Sequence, residues 1–269
     1  MTLTRYIVPK SLNEAMDLLF HNQASAVVLA GGQTLVQEIK KGIINPKVLI
    51  DIQNLEELKY IQQVDNELII GAGVTHSEIA NSLLIKEVFP SLSKAAKLIA
   101  DTQIRNKATM GGTLAYGDSF GDYWGLLYAT DASIKVKTLS GERIVPVTQW
   151  LSGRYKVYLN LSELVTGVKI PIPSTSTFHK VPLFHVENMN FTIIENSANE
   201  TKIAICGIND KPLLITLFGN EVSLYETFTE KIESFRNNNE NLKSEEYDYR
   251  FHLAKVVCFQ MLKGEDPFE

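Results

Sequence analysis

Two pairs of adjacent glycines constrain this chain more than anything else in it. Gly31-Gly32 stands in the stretch VVLAGGQTLVQEIKKG, and Gly111-Gly112 in IADTQIRNKATMGGTLAYGDSFGD. Neighbouring glycines let the backbone reach positive φ and approach a ligand with no Cβ in the way. Amides in such a turn, with the start of a following helix, form a concave cradle for phosphate oxygens. Small and hydroxylated residues surround the second pair: Thr109 precedes it, Thr113 follows it and Asp122 lies beyond. Two cradles in one chain read most economically as the site of a nucleotide with two phosphates.

The rest of the composition narrows the classes. At 269 residues the expectation is two domains, each large enough for its own core. A net charge of −5 with no Lys/Arg cluster argues against a nucleic-acid surface. No apolar run approaches the roughly 18 residues that a membrane span needs, and the first four residues do not begin a signal peptide, so a cytoplasmic location is expected. Cys206 and Cys258 are the only cysteines. Two cysteines 52 residues apart argue against a disulfide framework. They also cannot hold an iron–sulfur cluster, which takes about four thiolates. The five histidines show no metal-binding spacing. Any metal redox centre this chain works with is expected on another chain.

Periodicity predicts an α+β fold. Residues 6–9 read as an edge strand. Ser11 and Glu14 form a capping box ahead of a helix carrying Leu12, Ala15, Met16 and Leu19 on one face. A buried strand over 26–30 runs onto Gly31-Gly32, a helix over 33–41 closes at Gly42, and a strand over 48–52 completes a β-α-β unit. A strand over 68–71 follows, then a second capping box, Thr75 with Glu78. Pro90 starts a helix in which Leu92, Ala95, Ala96 and Ile99 share a face and which delivers the chain to the Gly111-Gly112 turn. Residues 133–138 and 143–147 read as a hairpin, 161–170 as a strand, and 171–177 as a linker. Beyond it, strands over 191–195, 201–208 and 213–218 and two helices make a smaller α+β region.

Each signal has an ordinary alternative. Either glycine pair by itself suits a structural turn. Gly71-Ala72-Gly73 lacks the third glycine of a dinucleotide fingerprint. Asp122 suits either a ribose hydroxyl or the cap of a helix at Tyr123-Trp124, and Arg105 either a phosphate or solvent.

The combination is more specific. AGGQTLVQEIKKG (30–42), NPKVLIDI (45–52), IGAGVT (70–75) and IADTQIRNKATMGGTLA (99–115) occur in that order. The chain thereby resembles the FAD-binding subunit of the molybdenum hydroxylases, the family of carbon monoxide dehydrogenase medium subunits and xanthine dehydrogenase flavin domains. The likeness continues through Gly141-Glu142-Arg143, Val145-Pro146, Glu163-Leu164-Val165 and Ile170-Pro171, and more faintly through Lys180-Val181, residues 203–207 and Tyr249-Arg250.

The resemblance implies a two-subdomain, PCMH-like FAD-binding domain over 1–173 (subdomains about 1–55 and 56–173) and a C-terminal α+β domain over 174–269. It places Leu29, Ala30, Gly31, Gly32, Gln33, Thr34 and Leu35 on one side of the FAD pyrophosphate and Thr109, Gly111, Gly112 and Thr113 on the other. Asp122 would sit on the ribose, Ile99 and Ala100 against the isoalloxazine, and Val165 and Lys180 near the flavin. No acid–base residue is implied. The function implied is electron transfer from [2Fe-2S] clusters on a small subunit, fed by a molybdenum-cofactor large subunit, to an external acceptor. A cofactor-free structural subunit and a self-sufficient FAD oxidase are the rival readings; the oxidase often links its flavin through His or Cys, and neither residue type lies near a Gly-Gly pair in the sequence. Two departures stand out. Thr113 replaces the family's asparagine, exchanging a carboxamide for a hydroxyl and predicting weaker anchoring of FAD, and Phe184-His185-Val186 replaces a charged run.

Overall fold

The first β-α-β unit forms where the apolar runs predict it. In the computed structural model, which describes residues 5–183, 188–196, 200–219, 221–242 and 244–267, β1 (Arg5–Ile7), α1 (Leu12–Asn22), β2 (Ala26–Leu29), α2 (Leu35–Lys40) and β3 (Val48–Asp51) succeed one another. The strands make a parallel sheet in the order β1-β3-β2. Helix α1 buries Ala15, Met16 and Leu19 in the same core as Val48 and Ile50. Ser11 caps it by accepting the Glu14 amide at 3.1 Å. The reciprocal contact differs from the expected box: the Glu14 carboxylate accepts from the amide of Lys10, at 2.7 Å.

A second body is built on an antiparallel sheet. It comprises β4 (Ile61–Val64), β5 (Glu67–Gly71), α3 (His76–Asn81), α4 (Leu83–Val88), α5 (Pro90–Lys97), α6 (Thr102–Arg105), α7 (Met110–Tyr116), α8 (Trp124–Ala129), β6 (Ser133–Thr138), β7 (Gly141–Pro146), α9 (Val147–Trp150), β8 (Leu151–Gly153), β9 (Lys156–Val157) and β10 (Leu164–Pro171). The large sheet runs β4-β5-β10-β6-β7. Thr75 and Glu78 form the complete capping box at α3. Gly71-Ala72-Gly73 closes an antiparallel strand, so no dinucleotide-type β-α-β unit surrounds it.

The remaining strands, β11 (Thr175–Val181), β12 (Met189–Asn196), β13 (Glu200–Cys206) and β14 (Leu213–Phe218), form an antiparallel meander followed by α10 (Glu221–Asn237) and α11 (Glu245–Leu262). The expected linker is shorter than its composition suggests. Pro171 still pairs with Glu67, and Thr175, Ser176 and Thr177 already pair with residues 193–195. Ser91 of α5 anchors this start of β11 by donating to the Ser176 carbonyl at 2.8 Å. Alternation along β13 gives the sheet two apolar faces. Ile203 and Ile205 join Phe228, Ile232 and Phe251 under the last two helices. Ala204 and Cys206 join Trp124 and the core of the preceding body. The departure at 184–186 lies outside the described residues.

Candidate functional site

The two glycine pairs meet in space. A Cβ on Gly31 would lie 2.0 Å from the carbonyl oxygen of Lys107 and 2.7 Å from the Cα of Ala108, so the first turn rests directly on the segment that enters α7. A Cβ on Gly111 would lie 2.5 Å from the Cβ of Ala72, so α7 rests on the connection after β5. Gly112 is different: its Cβ would meet Thr109 Oγ1 alone, at 3.2 Å. The expected positive φ holds at Gly32, with φ 70°, and at none of Gly31, Gly111 and Gly112. Gly111-Gly112 is not a turn but the first turn of helix α7, because Thr109 caps it by accepting the Gly112 amide at 3.1 Å.

That difference decides which backbone amides face a ligand. At α7 they are engaged: Met110 donates to Val74 at 2.9 Å, Gly111 to Ala72 at 2.9 Å and Thr113 to Thr109 at 3.0 Å. At the other pair, no hydrogen bond among the described residues uses the amides of Gly32, Gln33, Thr34 or Leu35. Gly32 and Leu35 are half-buried and Gln33 and Thr34 exposed, and the last two of these amides open helix α2, whose first N–H groups have no partner within the helix. Four amides without partners, beginning at a left-handed glycine and running into a helix start, have the form of an anion cradle.

The cradle opens into a cleft of about 530 Å³, within the roughly 300–1,000 Å³ typical of small-molecule sites. Of the sequence-predicted residues, Ala30, Gly31, Gly32, Gln33, Thr34, Leu35, Ile99, Thr109, Gly111, Gly112, Thr113, Asp122 and Val165 line it. Leu29, Ala100 and Lys180 do not. Leu29 is buried beneath the Gly32 turn. Ala100 has φ 39°, and its carbonyl accepts from Arg105 at 2.8 Å. Arg105 also donates to the Ile99 carbonyl at 2.9 Å and to Thr102 Oγ1 at 2.9 Å, so this half-exposed guanidinium is engaged within its own loop and shapes the segment carrying Ile99. Helix α5 ends before Ile99, which enters the cleft from that loop and not from a helix face.

Lys180 acts one step back. Its ammonium donates to Asp122 at 2.8 Å and to the Leu98 carbonyl at 3.1 Å. Burial raises the Asp122 carboxyl above the usual carboxylate range, and Lys180 pulls it partly back. Asp122 is not a helix cap: Tyr123 occupies that position in α8, with no side-chain cap bond.

Sequence reading missed Ala72, Ile104, Tyr116, Glu38 and, above all, His76, which also line the cleft. The expectation that no histidine lies near a glycine pair is corrected here. His76 is buried, with Nε2 3.3 Å from Thr113 Oγ1 and Nδ1 3.1 Å from the Tyr123 hydroxyl. Burial pushes its pKa down to about 4, so the ring is neutral near pH 7. The one local signal was the Thr75 cap, which fixes where His76 starts α3; its partners are distant in sequence. Among the described residues, no three His, Cys, Asp or Glu side chains are grouped to hold a metal, and no helix is long and apolar enough to cross a membrane.

The family profile described as "FAD binding domain in molybdopterin dehydrogenase" matches residues 2–173. The chain belongs to this FAD-binding family of oxidoreductases. Among its relatives is the carbon monoxide dehydrogenase medium chain of Hydrogenophaga pseudoflava, 34% identical over 166 residues, which are 62% of this chain and 58% of that one. The match thus spans little more than half of that medium chain. The glyceraldehyde dehydrogenase medium chain of Sulfolobus acidocaldarius is 27% identical over 273 residues, covering 96% of each chain. The crystal structure of quinoline 2-oxidoreductase from Pseudomonas putida 86 contains a chain of the same fold, with TM-score 0.83 at 23% identity, covering 97% of this chain and 96% of that one.

The cleft fits FAD on its own geometry. Unengaged amides suit a pyrophosphate, the open side of Gly112 leaves room beside it, and the apolar side chains of Ile99, Ile104 and Val165 suit a flat ring. Both ring nitrogens of His76 are engaged with hydroxyls, an arrangement that occupies the nucleophile a covalent flavin link through this residue would need.

Proposed function

We propose that this chain is the FAD-carrying electron-transfer subunit of a molybdenum-dependent hydroxylase or dehydrogenase. The observation that carries the reading is the row of unpartnered amides from Gly32 to Leu35 at one end of an apolar-walled cleft. In this reading those amides hold the pyrophosphate, with charge-assisted hydrogen bonds stronger than neutral ones. Thr113 donates from the opposite wall. Asp122, held in place by Lys180, accepts from a ribose hydroxyl. Ile99 and Val165 flank the isoalloxazine. Leu29 supports the cradle from below, and Thr109, Gly111 and Ala100 shape the cleft without using a side chain on the ligand. FAD, when bound, supplies the chemistry of taking up electrons singly and releasing them in pairs.

The proposal extends to partners. Cys206 and Cys258 are both buried and unbridged, and neither the count nor the placement suits an iron–sulfur cluster. The clusters and the molybdenum cofactor therefore belong to other subunits, a small [2Fe-2S] chain and a large molybdenum chain. Names such as "medium chain" among the relatives agree with such an assembly. Two buried thiols left unbridged also suit a reducing, cytoplasmic setting.

The test is to purify the chain alone, identify its flavin after acid release, and offer it aldehydes, purines or carbon monoxide with an artificial dye. The expected result is stoichiometric FAD and no turnover. A chain that takes up no FAD, or one that turns over substrate unaided, overturns the proposal.

A further inference from the structure

Thr113 stands between the cleft and a buried pair of polar side chains, His76 and Tyr123. His76 lies edge-on to Tyr123, ring centroids 5.4 Å apart, and its two nitrogens reach the Tyr123 and Thr113 hydroxyls. A neutral imidazole has one N–H and one lone pair, so only two proton arrangements exist. In the first, the Tyr123 hydroxyl donates to Nδ1, Nε2–H donates to Thr113 Oγ1, and the Thr113 proton is left to face the cleft. In the second, Thr113 donates to Nε2 and Nδ1–H donates to Tyr123. That second arrangement leaves the Tyr123 proton without an acceptor. Tyr123 is fully buried, and among the described residues His76 is its hydroxyl's hydrogen-bond partner. A buried donor left unmade is more costly than the bond itself is favourable. The first arrangement satisfies every donor inside the protein and sends one outward.

We propose that His76 is a positioning residue: locked by Tyr123 as the Nε2–H tautomer, it makes the Thr113 hydroxyl an obligatory donor into the cleft. The wall at Thr113 then selects an acceptor, an anionic phosphate oxygen, and disfavours a ligand donor. The asparagine common in the family can present either its carbonyl or its amide by rotation. A threonine gains the same one-way character only through a relay behind it. This inference rests on the FAD reading of the cleft for its ligand, but not for its proton arrangement.

Two measurements test it separately. The first uses the flavin-free full-length chain labelled with 15N-histidine. Long-range 15N–1H correlation at pH 7, with His76→Gln to assign the signal among the five histidines, should show His76 protonated on Nε2. Protonation on Nδ1 overturns the proposal whether or not FAD binds. The second is a titration of FAD into the wild type, Thr113→Val, Tyr123→Phe and the double variant. Thr113→Val should weaken FAD about tenfold, the loss of one charge-assisted hydrogen bond. Tyr123→Phe, which removes only the atom behind His76, should weaken it several-fold, and the double variant should be no weaker than Thr113→Val. If the two losses multiply, Tyr123 acts on the fold and not through Thr113, and the relay is wrong. A wild type that binds no FAD sinks the cleft assignment, while the tautomer still decides the relay.

Discussion

Alanine placed at Gly111 and at Gly112 should do opposite things, because the two neighbours look in different directions. At Gly111 the new methyl would overlap Ala72, 2.5 Å from its Cβ and 2.8 Å from its carbonyl oxygen, and both belong to a rigid connection. Overpacking of this kind costs about 1–3 kcal/mol. For a chain of this size that is a fall of roughly 2–4 °C in Tm per kcal/mol. At Gly112 the methyl would meet only Thr109 Oγ1, 3.2 Å away. The backbone there is helical, so alanine regains about 1 kcal/mol of helix propensity. Loosening the Thr109 cap costs about as much, and the net effect on the flavin-free fold is near zero. In the proposed FAD site, however, the methyl would occupy the open space beside Gly112 and crowd the pyrophosphate against the opposite wall. Displacing one phosphate contact worth about 1.5–3 kcal/mol weakens FAD by about ten- to a hundredfold. Tm of the flavin-free proteins and FAD titration followed by flavin fluorescence separate the two outcomes. The reasoning is refuted if Gly112→Ala binds FAD like wild type, or if Gly111→Ala matches wild type in Tm.

His76 gives a prediction in pH. Its folded pKa, about 4, lies below the ordinary 6.5, so its contribution is complete above pH 6.5 and is lost as pH falls toward 4. The loss is on the order of 3 kcal/mol. Urea unfolding across that range should fall more steeply for wild type than for His76→Gln, and parallel curves would exclude the effect. Lys180→Met leaves the Asp122 carboxylate buried without its cation and should lower stability by about 3 kcal/mol, partly restored by adding Asp122→Asn; an unrestored double variant contradicts the pairing. Ile99→Ala should shift the flavin spectrum or its reduction potential while most FAD stays bound. An unchanged spectrum and potential would remove Ile99 from the ring.

Features encoded within a few neighbouring residues were legible in the sequence. Ser11 and Thr75 announce their helices because a cap and its amide are three residues apart. The strand ending on Gly31-Gly32 shows as an apolar run meeting a breaker. The two glycine pairs, with the small and hydroxylated residues beside them, read as one site from sequence. Their geometry was not legible. A glycine pair after threonine suits a turn and a capped helix equally, and the contact of Gly111 with Ala72 that favours the helix comes from another element. Arg105 turned out to serve carbonyls because Ala100 folds back toward it at positive φ. The serine- and threonine-rich stretch after Pro173 has the composition of a linker, and only pairing with β12 makes it a strand. His76 and Tyr123 are separated by residues that contain no sign of their bond.

Strand β13 has two addressees. Its alternate side chains speak to different parts of the molecule: Ile203 and Ile205 to the terminal helices, Ala204 and Cys206 to α8. The first turn of α8 follows directly on Asp122 and Tyr123, so the inner row of β13 backs the wall of the cleft while the outer row does not touch it. The terminal helices can therefore be recut to meet a new neighbour without disturbing the cofactor wall, provided that each change stays on the odd-numbered side of the strand. An added methyl at Ala204 would press into the core that holds Trp124; the same methyl one residue along would press into the core beneath the helices.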